Sequence, residues 1–231
     1  MGRNKKKPGY DAKKIMMEFI ESVAECYFET GADQGENSIR SIAEEFDITP
    51  LKVRKLLITA GIFSTEISDE VNDLFIRGKS ILDIQKITGL GRASVYSYLP
   101  YKKVIYNISE VSLNAERNRK YRVRKEAVEN LKRIFVTYTA EMKDAVWSTM
   151  KLFQEYTFYT VDHHKFRYTM SDDEIIINGN DKKIEKALVD TAIKKVIAKE
   201  KFISGQEEMD VPDAEYLYPI FIRIGIIKNN S

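Results

Sequence analysis

The sequence predicts a mainly α protein: a tandem helix-turn-helix N-terminal half, a long connecting helix and a small α+β C-terminal module with a β-hairpin. Three observations predict it. A helix–turn–helix pattern occurs twice, in Ser38–Leu57 and Ser80–Leu99, with turn residues Asp47 and Gly89 standing 42 positions apart. From about Leu113 to Tyr156 the chain keeps helical spacing without a Gly or Pro. After Phe158 it becomes rich in aromatic and β-branched residues, which favour strands.

Each element follows from local chemistry. Pro8-Gly9 precedes a helix with Asp11 as N-cap and Ile15, Phe19, Ile20, Val23 and Tyr27 on one face. Gly31 to Asn37 reads as a polar loop. In the first motif Ile39, Ile42, Phe46, Ile48, Val53 and Leu56 fill the apolar positions, and Ala43 is the small residue where the helices cross. Asp47 takes the turn, Thr49-Pro50 is a cap followed by Pro at the first helical position, and Gly61 ends the second helix. A third helix starts near Ser68 with Val71, Leu74 and Phe75 on its apolar face, and ends at Arg77-Gly78. The second motif places Ile81, Ile84, Leu90, Val95 and Tyr98 in register, departs at Gln85 and Thr88, and stops at Leu99-Pro100.

Lys102 to Ser112 reads as an ordered loop, with Ser112 or Asn114 capping the long helical stretch. That stretch is one helix or two with an unmarked break. Tyr159–Met170 and Glu174–Asn178 form the expected hairpin. A helix follows with Ile184, Leu188, Ala192 and Val196 on one face. Ser204–Pro212 is a loop, and Tyr216–Ile227 reads as a buried helix despite Pro219, with a strand over Phe221–Ile227 as the other option.

Composition bounds the function. The 231 residues are 43% apolar and 31% charged, as expected of one large or two small soluble domains. The net charge of +2 is unevenly placed: +5 through Arg133 (24 basic against 19 acidic) and −3 after it (13 against 16). This predicts a nucleic-acid-binding region over 1–133 and a different module over 134–231, for dimerisation, a partner or an effector. The single cysteine, Cys26, excludes an intramolecular disulfide and reads as a core residue. One Cys and two His exclude a zinc finger made by this chain alone. No apolar run approaches a membrane span, and no secretory apolar region follows the basic N-terminus, so the cytoplasm is the expected compartment. Lys5-Lys6-Lys7 reads as a solvated tail or an arm on phosphates.

Motifs of this kind place a second helix in the DNA major groove. The candidate DNA-binding residues are Thr49, Lys52, Arg54 and Lys55 in the first motif, and Arg92, Ser94, Tyr96 and Ser97 in the second. Arg92 suits a guanine edge or a phosphate, the serines suit phosphates or mixed edges, and Tyr96 suits backbone or a thymine methyl. A third feature is Arg117–Lys125, six basic residues in nine with Tyr121 among them. Arg117, Arg119, Lys120, Arg122 and Arg124 are its candidate phosphate contacts, against the alternative of a solvated helix face. Asp162-His163-His164 holds both histidines, but no partner cluster with ligand spacing follows. No metal, cofactor or catalytic pair is expected, and the reading is a binding protein rather than an enzyme.

The segments Phe46-Asp-Ile-Thr-Pro-Leu-Lys-Val-Arg-Lys-Leu-Leu-Ile-Thr-Ala-Gly61, Thr88-Gly-Leu-Gly-Arg-Ala-Ser-Val-Tyr-Ser-Tyr-Leu-Pro-Tyr101 and Ser112-Leu-Asn-Ala-Glu-Arg-Asn-Arg119 carry a resemblance. Over roughly Pro8 to Arg133 the chain resembles a largely uncharacterised family of tandem helix-turn-helix DNA-binding proteins of Gram-positive bacteria and their mobile elements. The resemblance implies a DNA-binding or transcriptional-regulator role without a known operator, and together with the motifs it gives the expectation of a sequence-specific, double-stranded-DNA-binding regulator of a bacterial, phage or plasmid locus. The second motif, flanked by Arg117–Lys125, is the expected main reader, and a homodimer is an expected assembly. The alternative is a mobile-element protein that inhibits a host defence complex by binding it through a helix-turn-helix scaffold.

Overall fold

The computed structural model describes residues 11–30, 36–101, 108–135, 138–179 and 182–227. It is mainly helical, with two small antiparallel sheets in the C-terminal part. The chain divides into two units, Met1–Arg119 and Lys120–Ser231. The division lies upstream of Arg133, inside a long helix, because packing and net charge partition the chain differently.

In the first unit, Asp11 caps α1 (Ala12–Glu29) by accepting from the backbone N–H of Lys13 and Lys14 at 2.9 and 3.1 Å. Its buried face includes Phe19, Val23 and Cys26. The Phe19 ring meets Phe46 edge-on at 5.5 Å. α2 (Glu36–Glu45) already includes Glu36 and Asn37; the rest of the expected polar loop, residues 31–35, lies outside the described residues. Asp47 takes a left-handed φ of 51°, and the Ile48 N–H closes the turn onto the Ala43 carbonyl at 2.9 Å. α3 (Pro50–Ala60) starts with the Thr49 hydroxyl accepting from the Lys52 N–H and ends at left-handed Gly61.

α4 (Glu66–Ile76) begins earlier than expected. Thr65 is its cap, and Ser68 is the reciprocal partner three residues on, so Ser68 lies inside the first turn. α5 (Ile81–Thr88) is capped by Ser80 and ended by left-handed Gly89, and α6 (Arg92–Tyr98) follows from Gly91. Val71, Ile84, Val95 and Leu99 form the core of this second motif. The Asn72 side chain donates to the Tyr98 carbonyl at 3.0 Å, tying α4 to the end of α6.

α7 runs from Ile108 to Ile134, so Ser112 and Asn114 are interior helical residues rather than caps. Nothing between Ile108 and Leu113 breaks a helix; the remainder of the expected loop, residues 102–107, lies outside the described residues. The long stretch is two helices: α8 (Ala140–Leu152) restarts with the Thr139 hydroxyl accepting from the Met142 N–H at 3.1 Å.

In the second unit the expected first strand is three short ones. β1 (Phe158–Tyr159) pairs with β2 (Lys165–Phe166) across a turn in which His163 has φ 62°. β3 (Tyr168–Met170) and β4 (Glu174–Ile177) make the expected hairpin, with Tyr168 opposite Ile177. β5 (Lys182–Glu185) extends it, with Ile184 opposite Ile175. Ile184 therefore belongs to a strand, and α9 (Lys186–Ala198) starts after it. Its four-residue spacing to Leu188 fits a helix equally well, and one apolar residue cannot set a period. The expected loop after Ser204 contains a short 3-10 turn at Gln206–Met209 that buries Met209. α10 (Ala214–Arg223) carries Pro219, and Ile224–Ile227 continues as turn into the core rather than as strand.

Candidate nucleic-acid interface

The two motifs meet through their second helices, α3 and α6. Arg54 on α3 donates from Nη2 to the Ser97 hydroxyl on α6 at 3.1 Å and lays its guanidinium 4.5 Å from the Tyr98 ring centroid. Lys55 donates from Nζ to the Tyr96 carbonyl at 2.7 Å and lies 4.8 Å from the Tyr101 ring centroid. Burial holds the Lys55 ammonium below its ordinary pKa. The Tyr101 N–H donates to the Thr59 hydroxyl at 3.1 Å. These contacts all engage the C-terminal half of α6 and the residues just after it.

The N-terminal half of α6 and the Tyr96 side chain are treated differently. Arg92, Ala93 and Ser94 are exposed, and Tyr96 is 41% exposed, with the Arg92 guanidinium 5.8 Å from its ring centroid. Ser97 is 4% exposed; its hydroxyl donates to the Ser94 carbonyl at 2.7 Å while accepting from Arg54. The hydroxyl is thereby engaged within the protein, and Ser97 leaves the set of side chains that could reach a groove.

The remaining sequence-derived candidates separate by environment. Thr49 is exposed, with its hydroxyl engaged as the α3 cap. Lys52 donates to Asn114 at 3.4 Å, and Arg117 donates to the same Asn114 at 3.3 Å and lies 4.0 Å from the Asp47 carboxylate. Arg119, Lys120 and Arg122 are exposed on α7. Arg124 is 9% exposed and stacks over Phe153 and Tyr156 at 5.6 and 5.2 Å. It serves the second unit's interior, so it too leaves the groove-facing set. The helix face it occupies alternates with exposed neighbours, and charge density alone does not reveal that.

The structure thus gathers Arg54, Lys55, Tyr96 and Ser97 at one seam with Arg92 beside it. Sequence reasoning missed Asn72, Thr59, Tyr98, Tyr101 and Asn114, which hold that seam and its surroundings. Tyr98 and Tyr101, on either side of Leu99-Pro100 and opposite Arg54 and Lys55, were the one available signal. His163 and His164 are exposed in the β1–β2 turn. Among the described residues no group of three or more His, Cys, Asp or Glu is arranged to hold a metal ion, and no helix is long and apolar enough to cross a membrane. Comparison with protein-family models, curated proteins and solved structures finds no match for this chain.

Proposed function

We propose that this chain is a sequence-specific duplex-DNA-binding protein, a transcriptional regulator that reads bases through α6. The observation that carries the reading is the split along that helix. Its C-terminal half is braced by α3 through the Ser97 hydroxyl and the Tyr96 carbonyl, while the side chains of Arg92, Ser94 and Tyr96 stay open to solvent. Recognition helices present their N-terminal residues to base edges, and a braced helix loses little freedom on binding. Arg92 is the candidate for a bidentate contact to guanine; Ser94 suits a phosphate or a mixed edge, and Tyr96 suits backbone or a thymine methyl. In this reading the first motif is mainly a brace, and the role is binding without catalysis or cofactor. The second unit serves dimerisation, a partner or an effector.

Selection from randomised duplexes tests this. Full-length protein should recover a preferred site, and Arg92→Ala should relax one position of it by about 1–3 kcal/mol. Recovery of no preferred site would remove the sequence-specific reading.

One observation favours a second reading, a protein-binding role in a mobile element directed at a host complex. α4 exposes Glu66, Asp69 and Glu70, with Asp73 paired to Arg77 at 2.7 Å, and these four share one helix face. That face repels a duplex and suits a basic protein. A protein acting only in this way would show no steep salt-dependent affinity for bare DNA.

A further inference from the structure

Arg54 and Lys55 are consecutive cations whose contacts are all with uncharged groups. Arg54 meets a hydroxyl and a ring, and its Nε is buried without a hydrogen-bond partner. Lys55 meets a carbonyl and a ring. Among the described residues neither forms an ion pair with a carboxylate. Desolvation is the cause of the lowered Lys55 pKa, with no acidic neighbour opposing it. What the two share is the segment they reach: both turn to residues 96–101, where two partly desolvated cations without a carboxylate partner gain from an anion. Both residues are only half-buried, so the seam remains approachable. Arg92 lies one helical turn from Tyr96, about 6 Å along the axis, so a duplex contacted by Arg92 brings its backbone over this part of α6.

We propose that the seam between α3 and α6 seats a phosphate group, supplied by the backbone of the bound duplex, with Arg54 and Lys55 as its two cationic contacts. This rests on the DNA reading for the source of the phosphate, and on the seam's own chemistry for the site. The same pair that braces α6 would then fix the register of the duplex, since phosphate contacts position while base contacts specify.

The test compares wild type with Lys55→Gln and Arg54→Gln, and with Lys55→Arg as the charge-preserving control. Duplex affinity is measured across salt and across several sequences, and thermal melting is measured in chloride and in inorganic phosphate at equal ionic strength. The expected result is a uniform loss of affinity over all sequences in each Gln variant. The slope of log affinity against log salt should shrink by about 0.9 per lost contact, and Lys55→Arg should restore it. A role in bracing alone would instead change base preference and leave the slope as in wild type, which overturns the proposal. If wild type binds no duplex, the DNA reading fails separately. A phosphate-specific rise in melting temperature that the Gln variants lose then supports the site with free phosphate as its source, and no such rise overturns it.

Discussion

Arg54 on α3 donates a 3.1 Å hydrogen bond to the Ser97 hydroxyl on α6, which in turn donates at 2.7 Å to the Ser94 carbonyl. This relay joins the two motifs through their second helices. Ser97→Ala removes the acceptor and leaves a half-buried guanidinium with one contact fewer. The expected cost is about 1 kcal/mol in urea unfolding, below the usual figure for a charged donor because Arg54 retains some solvent. An unchanged midpoint would show that the relay contributes no stability.

Ile184 is fully buried opposite Ile175 on β4. Ile184→Ala should destabilise the protein by about 2–5 kcal/mol, as expected of a large-to-small change in a packed core. Urea denaturation followed by the fluorescence of Trp147, whose unit contains this core, reads the loss directly. A cost near zero would mean that the site is not enclosed.

These two cases mark what was legible in the sequence. Asp47, Thr49-Pro50, Gly61, Gly89 and Leu99-Pro100 act through local backbone chemistry, so both motifs could be read with their turns and stops. β5 escaped because Ile184 is its lone apolar residue. The break between β1 and β2 escaped because a non-glycine residue, His163, takes the left-handed conformation there. The α3–α6 brace joins residues 43 positions apart, and no local pattern distinguishes Arg54 facing a neighbouring helix from Arg54 facing DNA. The exposed candidates Arg92, Ser94 and Tyr96 were readable from helix position, whereas burial of Ser97 and Arg124 required the packed structure.

Gly225 has φ 79° in the turn after α10. A Cβ there would meet Lys132 Cε at 2.5 Å, but that flexible side chain can shift, so the cost comes from the backbone. Gly225→Ala should destabilise by about 1–2 kcal/mol. Calorimetry of the variant checks this, and a melting temperature equal to wild type would contradict the left-handed assignment.

Tyr168 is fully buried, and its hydroxyl donates to the Met150 carbonyl at 2.8 Å. Burial pushes its pKa far above that of a free tyrosine. The folded state therefore keeps a proton that the unfolded chain releases near pH 10. Its contribution is fully present below about pH 10 and is lost as pH rises above it. Tyr168→Phe should lower stability by about 1 kcal/mol at neutral pH and decline less steeply above pH 10. Urea unfolding of both proteins on either side of pH 10 makes the comparison; parallel declines would count against the buried phenol.

The most direct test of the central claim is the affinity of the full chain for duplex DNA between about 50 and 200 mM salt, beside the double variant Arg92→Ala, Tyr96→Ala. Binding that weakens steeply with salt in wild type, together with loss of sequence preference in the variant, is the result expected if α6 is the reader. Absence of binding at the lowest salt, or an unaltered preference in the variant, would contradict it.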